Sequence, residues 1–356
     1  MRPLPIANPP NPWAATSVEY LGEPPEAELH VFEERGKTIV TPNDSPDVGF
    51  RFSVNPYRGC MHACAYCYAR PSHQYWGFGA GTDFDRKIIV KVDAPEMLAA
   101  TFDKKGWKGE LILFSGNTDC YQPLEASYRL TRRCLEVCLA YRNPVGVITK
   151  SALVRRDVDV LSQLARRARC RATISIPFSD EAMARAIEPY AAAPAARFET
   201  IRRLAAEGVS VGVNVAPVIP GLNDTQIVEV LERAKEAGAG RAAILPVRLA
   251  AEVMPVFFER LAAAFPDRVG KVTRAVREMR GGKLNESGFG ARMQGLGPRW
   301  EATSRLFEAH AARLGLATWA SGTAPKDVRA PTGAPDEDEG PSPFRRPSSQ
   351  GELFQD

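Results

Sequence analysis

Residues 50–70 read Phe50-Arg-Phe-Ser-Val54-Asn-Pro-Tyr-Arg-Gly59-Cys60-Met-His62-Ala-Cys64-Ala-Tyr66-Cys67-Tyr68-Ala-Arg70. A short apolar run, Phe50–Val54, gives way at once to a polar loop holding three thiols. Soft thiolates select iron–sulfur clusters, zinc or Cu(I). A cluster that only transfers electrons takes four cysteines, and structural zinc takes four ligands, usually as two spaced pairs. Here a lone triplet stands with no second pair, and Cys120, Cys134, Cys138 and Cys170 are scattered downstream. The triplet therefore predicts a cluster with one iron left open to a ligand. A zinc site completed by His62 or His73 is the competing reading. Three cysteines buried as small hydrophobes is the blandest reading, and Gly59, His62, Tyr66 and Tyr68 argue against it by marking an exposed loop.

Outward from this loop, short apolar runs alternate with helical patterns. Candidate strands are Phe50–Val54, Lys87–Val92, Leu111–Ser115, Val145–Thr149, Ala172–Ile176, Val209–Val215 and Ala242–Val247. Helical patterns fall at Pro95–Lys104, Ser127–Tyr141, Asp157–Ala168, Ala195–Glu207, Thr225–Ala237 and Ala251–Ala264, with Pro266–Arg280 and Trp300–Leu314 after them. Thr200 and Asp224 are candidate helix starts, Gly208 and Gly238 candidate stops. Strands alternating with helices predict an α/β fold with a parallel sheet and right-handed crossovers. The expected architecture is a partial (βα)6 TIM-type barrel, with a full eight-fold barrel as the alternative. Active sites in such barrels lie at the C-terminal strand ends, where the cysteine loop falls.

Cys-x3-Cys-x2-Cys with an aromatic before the last cysteine resembles the radical S-adenosylmethionine superfamily. The context Asn55-Pro-Tyr-Arg-Gly-Cys60 through Tyr66-Cys67-Tyr68-Ala-Arg70, with Thr118-Asp-Cys-Tyr-Gln-Pro-Leu-Glu125, is similar to the branch containing spore photoproduct lyase. The resemblance implies that Cys60, Cys64 and Cys67 ligate a 4Fe-4S cluster and that S-adenosylmethionine is the second cofactor. Tyr66 and Tyr68 then lie near that cosubstrate. Ser115-Gly116-Asn117 stands where family members often carry Gly-Gly-Glu, which moves the expected amine contact to Thr118 or Asp119. An ordinary turn explains the same residues, since Ser, Gly, Asn and Asp all favour turns. Lys150 and Ser175, at strand ends, are implied cosubstrate contacts, against a solvated loop lysine and a satisfied strand hydroxyl. Asn214 interrupts an apolar strand and points to a polar role. Beyond it, Ile219, Gly221 and Asp224 match a family adenine motif in part, and a Pro/Gly turn with an Asp cap accounts for them equally.

The implied chemistry is reductive cleavage of S-adenosylmethionine to a 5′-deoxyadenosyl radical that abstracts a substrate hydrogen. An electron donor such as flavodoxin or ferredoxin is the implied partner. The substrate is left open: nucleic acid, as in photoproduct repair, peptide or small molecule. Cys120 is the candidate hydrogen donor, against a buried thiol as the default. Cys134 and Cys138, spaced i and i+4, and Cys170 read as core. Arg155, Arg156, Arg166, Arg167, Arg169 and Arg171 suit either phosphate contacts or a solvated helix face. A non-catalytic zinc- or cluster-binding module is the alternative class of function.

Composition bounds the rest. The 356 residues are 44% hydrophobic and 25% charged with a formal charge of +4, ordinary for a globular protein and too weakly basic to imply nucleic acid. Seven cysteines, an odd number, argue against a secreted disulfide framework. No apolar run reaches membrane-span length and no leader is legible, so the cytoplasm is the expected compartment. The expected organisation is an irregular extension over 1–45, a barrel over 46–285, a helical cap over 286–318 and a disordered tail over 319–356. Phe289–Trp300 is expected as a substrate-side loop or a plain linker.

Overall fold

The computed structural model describes residues 28–318 and 341–347. Six strands run parallel and pair in chain order: β1 (Phe52–Val54), β2 (Ile112–Phe114), β3 (Val145–Thr149), β4 (Cys170–Ser175), β5 (Ser210–Val218) and β6 (Arg241–Pro246). Val40–Pro42 adds antiparallel beside β1, and Ala317–Thr318 adds parallel beside β6. The eight strands form an open sheet whose outer members do not meet. This is the partial barrel expected from the sequence; no eight-fold closure forms.

The strands read as near-continuous apolar runs because both faces are covered. Ile112, Leu113 and Phe114 of β2 are all buried, as are Val145 and Val147 of β3. The crossover helices are α1 (Ala94–Phe102), α2 (Leu130–Ala140), α3 (Val158–Arg167), α4 (Pro194–Ala206), α5 (Ile227–Glu236) and α6 (Val253–Ala264). Each buries one stripe: on α3, Val160, Leu161 and Leu164 face the sheet while Arg166 and Arg167 stay outside. Cys134 and Cys138 on α2 and Cys170 in β4 are core residues, as their spacing suggested. Gly208 and Gly238 take positive φ after α4 and α5, where stops were expected. Two further helices, Val269–Met279 and Gly297–Arg313, follow α6.

Five expectations are corrected. Lys87–Lys91 is a strand, but it lies in a separate sheet between His30–Glu34 and Tyr57–Arg58. Pro56 turns the chain away from β1, and its carbonyl accepts from Lys91 N at 2.9 Å. The region before residue 45 is likewise not wholly irregular, since His30–Glu34 and Val40–Pro42 pair with neighbouring strands. The helix expected over Ser127–Tyr141 breaks at Arg129, φ 54°. There the buried Glu125 carboxylate accepts from Thr131 N (2.9 Å) and Arg132 N (3.2 Å), capping α2 as a short polar side chain would. Thr200 lies inside α4, which Pro194 opens. The ends of the chain fall largely outside the described residues, but Pro341–Pro347, read as disordered, packs against the barrel. An aromatic ring and two guanidinium groups give it the contacts that its flanking composition lacks.

Candidate functional site

The cysteine loop leaves β1 and is clamped from several sides. Gly59 has φ +77°, and a Cβ there would stand 2.9 Å from the Phe84 carbonyl, so only glycine fits. Gln122 holds both edges of the turn: its Nε2 donates to Gly59 O (3.0 Å) and its Oε1 accepts from Met61 N (3.1 Å). Arg70, fully buried, donates to Cys64 O from Nε and Nη2, to Ala80 O and Gly81 O from Nη1, and to Asp85 at 3.0 Å. Ala65 N donates to Ile187 O at 3.0 Å and ties the far side to the Glu181–Ile187 helix.

Cys60, Cys64 and Cys67 are free thiols. Burial pushes all three thiol pKa values up, with Cys60 and Cys64 each raised further by neighbouring thiols of the trio. The nearby Lys150 ammonium pulls Cys64 and Cys67 back down. The thiols share one electrostatic neighbourhood, although among the described residues no three His, Cys, Asp or Glu side chains form a finished ion site. The donor set nonetheless fits an iron–sulfur group: three soft, unpaired sulfurs on one loop at the catalytic end of the sheet.

The loop after β2 buttresses the cysteines. Ser115 takes φ 96° and Gly116 φ 65°, a left-handed pair of the kind stored at functional sites. Ser115 Oγ donates to Ile148 O at 2.5 Å, tying β2 to β3. Thr118 is buried; its Oγ1 donates to Tyr57 O (2.9 Å) and accepts from Asn55 Nδ2 (2.8 Å). Asp119 accepts from Thr149 Oγ1 (2.8 Å), Lys150 N (2.8 Å) and Tyr121 N (2.9 Å). Burial raises its carboxyl pKa, but His62 and these donors outweigh burial and hold it down to about 2. His62 Nδ1 lies 3.4 Å from Asp119 Oδ2, close enough for an ion pair when the ring is protonated but without hydrogen-bond geometry. Ser115, Thr118 and Asp119 thus all spend their side chains on protein.

Tyr66 is anchored from behind. Its hydroxyl donates to Glu188 Oε1, whose other oxygen accepts from Arg197 Nη2 at 2.6 Å, and Arg197 Nη1 donates to Ser175 O at 3.0 Å. Lys150 Nζ stands 5.6 Å from the Tyr66 ring centroid. Ser175 and Asn214 are register partners across β4 and β5. Within the described residues, the Lys150 ammonium, the Ser175 hydroxyl and the Asn214 amide make no side-chain hydrogen bond. Ser175 closes β4, Asn214 lies beside it within β5, and Lys150 follows the end of β3.

Comparison with known proteins agrees with this arrangement. Residues 54–234 match the family described as the Radical SAM superfamily. The chain belongs to the radical SAM superfamily. An uncharacterised protein of Mycobacterium tuberculosis is 33% identical over 230 residues, 64% of this chain and 68% of that protein. An uncharacterised protein of Methanocaldococcus jannaschii is 26% identical over 202 residues, 57% of this chain and 73% of that protein. A Radical SAM Nalpha-GlyT isomerase of Pseudomonas phage M6 is 24% identical over 233 residues, 64% of this chain and 46% of that protein. The fold resembles spore photoproduct lyase complexed with a dinucleoside spore photoproduct, with TM-score 0.58 and 15% identity over 84% of this chain and 87% of that chain. A radical SAM domain makes this an enzyme, and the superfamily uses a [4Fe–4S] cluster and S-adenosylmethionine.

Within the radical SAM frame, some placements were legible and others were not. Tyr68 reaches over the mouth, half exposed at 49%, and donates to Gly116 O at 3.0 Å. Cys120 is 0% exposed, inside the main core, with its Sγ beside Ser115 Oγ, so it is walled off from the mouth. Asn223, not singled out in the sequence, pins the turn after β5 by donating to Pro177 O (2.7 Å) and Pro217 O (3.0 Å). Glu188 and Arg197 were also missed; no local pattern marks a buried pair formed by the residue after one helix and a residue of α4. Arg248, just past β6, was a third omission. Its guanidinium lies 5.5 Å from the Tyr68 ring centroid, and its one polar contact among the described residues is Met293 Sδ at 3.5 Å. Burial, then Arg292, lower its proton affinity. Phe289–Trp300 is drawn over this side, with Arg292 paired to Asp47 and Arg280 donating to Gln294 O at 2.5 Å. No described helix is long and apolar enough to cross a membrane.

Proposed function

We propose that this enzyme cleaves S-adenosylmethionine reductively, with Cys60, Cys64 and Cys67 holding a [4Fe–4S] cluster that keeps one iron open. One observation carries this reading: three free thiols on one clamped loop share this end of the sheet with Lys150, Ser175 and Asn214, whose side chains make no hydrogen bond among the described residues. When bound, such a cluster supplies the electron that breaks the sulfonium bond and yields a 5′-deoxyadenosyl radical. The chain's own part is binding and orientation. Lys150 offers a point charge to the carboxylate of the cosubstrate, and Ser175 and Asn214 offer hydrogen bonds from β4 and β5. Tyr66 stands between the last two thiols in sequence, its ring fixed by Glu188. Ser115, Thr118 and Asp119 act as braces that hold the loop after β2. Residues 46–285 make the catalytic unit, 286–318 cap it, and a small reducing protein such as flavodoxin or ferredoxin in the cytoplasm supplies electrons.

For the substrate, Arg248 at the mouth, with no carboxylate paired to it among the described residues, favours an anionic molecule, and a nucleotide suits that charge. A repair lyase returning hydrogen from Cys120 is not favoured, because that thiol is buried.

The test is anaerobic reconstitution with iron and sulfide, followed by reduction in the presence of S-adenosylmethionine. The expected product is 5′-deoxyadenosine, lost by at least a hundredfold in Cys64→Ala. A colourless protein that takes up one zinc per chain and leaves the nucleotide intact would overturn the reading in favour of a non-catalytic metal module.

A further inference from the structure

We propose that the N-terminal end of the half-barrel carries a docking site for a Phe-Arg-Arg peptide, and that its occupant is the chain's own segment Pro341–Pro347. The segment lies across the starts of three neighbouring strands. Arg169, just before β4, donates from Nη2 to Pro341 O at 2.8 Å. Arg345 N donates to Tyr141 O, ahead of β3, at 2.9 Å. Ser342 Oγ donates to Gly109 O, ahead of β2, at 2.7 Å. Between these ties Phe344 enters a recess between the Phe102 and Tyr141 rings, with centroids 5.9 and 6.2 Å away, and packs on the main core.

The receiving surface suits this occupant in two ways. Gly109 has φ +78°, and a Cβ on it would stand 2.1 Å from the Cβ of Phe344, so the aromatic sits where any other residue at 109 would intrude. The second fit is electrostatic. α1 ends at Phe102, and the carbonyls at a helix end lack intrahelical donors and carry partial negative charge. Arg346 meets that end with its fork: Nε donates to Phe102 O (3.0 Å), and Nη2 donates to Lys104 O (2.6 Å) and Trp107 O (3.3 Å) in the loop that follows. An ammonium has no planar fork with which to span such a set.

The occupant is the same copy of the chain because the tether allows it. The described barrel ends at Thr318, beside the start of β6. From there to the start of β4 is three strand spacings, about 15 Å. A joining stretch of roughly 20 residues reaches about 70 Å when extended. Tethering at that length gives millimolar effective concentrations, enough to fill a modest peptide site at any protein concentration. The site is remote from the cysteine loop, so neither the proposal nor its test depends on a cluster.

The test uses the full chain carrying Phe344→Ala and Arg346→Ala together, both on the docked segment, so the barrel itself is unaltered. The melting temperature is expected to fall by about 2–6 °C, with far-ultraviolet circular dichroism unchanged. A labelled peptide spanning residues 341–347 should bind this variant saturably and restore its melting temperature. It should bind the unaltered chain at least tenfold more weakly, because the site there is filled. Unchanged melting in the variant, together with a peptide that binds neither chain, would overturn the proposal. A melting temperature that rises with protein concentration, and a dimer that the double substitution dissolves, would overturn the assignment to the chain's own copy.

Discussion

The two ends of the half-barrel treat their polar groups in opposite ways. At the C-terminal strand ends, Lys150, Ser175 and Asn214 reach the surface of the sheet with no hydrogen-bond partner within the described protein. Arg248 nearby has, among the described residues, the Tyr68 ring and the Met293 thioether as its contacts. At the N-terminal ends the carbonyls of Phe102, Lys104, Trp107, Gly109 and Tyr141 are each met by a donor from Pro341–Pro347. Unpaired polar groups are costly, and a structure that satisfies them on one face while sparing them on the other keeps the second face for a ligand. Between the ends lie the anchors that hold the catalytic face: Arg70 under the cysteine loop and the Arg197–Glu188–Tyr66 chain behind it.

This contrast is sharpest at Arg70. Arg70→Met would take the guanidinium partner from the buried Asp85 carboxylate and the side-chain donors from the Cys64, Ala80 and Gly81 carbonyls. Breaking such a pair costs about 3–5 kcal/mol, so a large loss in denaturant stability is expected, together with failure to assemble the site. Stability equal to the native chain would show that the clamp contributes nothing. Glu188→Gln should cost less, about 2–3 kcal/mol, since a neutral amide still accepts one bond. It should also slow S-adenosylmethionine cleavage about tenfold by freeing the Tyr66 ring. An unchanged rate in a destabilised variant would reduce that chain of residues to scaffolding.

His73 gives the pH counterpart. Burial lowers its pKa from 6.5 to about 4, despite hydrogen bonding to the Lys87 backbone and the nearby Asp83 carboxylate, which favour the charged form. In the unfolded chain the ring protonates near 6.5 and in the native one near 4. Stability is therefore complete above pH 6.5 and is lost as pH falls from there toward 4, by on the order of 2–3 kcal/mol. Replacing it by Phe, beside the Phe78 and Phe84 rings, should flatten denaturation midpoints over that interval. An unaltered slope would move the acid sensitivity elsewhere.

What the sequence disclosed follows the same division. The cysteine loop and the six strands were legible because each is local: a thiol spacing, an apolar run, a glycine after a helix. Lys150 and Ser175 stand out in the sequence as polar residues at strand ends, and Asn214 as a polar residue within an apolar strand; the structure places Ser175 and Asn214 side by side across β4 and β5. The braces were misjudged because Thr118 and Asp119 resemble ligand groups until their partners Asn55, Tyr57 and Thr149 are seen. Glu188, Arg197 and Arg248 were silent, since pairing between separate elements leaves no periodic trace. Of the tail expected to be disordered, Pro341–Pro347 alone lies among the described residues, and its docking is hidden in the sequence because composition averages over a segment. One aromatic ring, the Arg346 fork and a few backbone and hydroxyl hydrogen bonds suffice to dock it, however polar its flanks.

The central claim is that the three thiols hold a cluster whose fourth corner is free for S-adenosylmethionine. Electron paramagnetic resonance of the reduced, reconstituted enzyme tests it most directly. The account predicts a [4Fe–4S]+ signal that changes shape when S-adenosylmethionine is added and is absent in Cys60→Ala. A spectrum indifferent to the nucleotide, or no iron–sulfur signal at all, would contradict it.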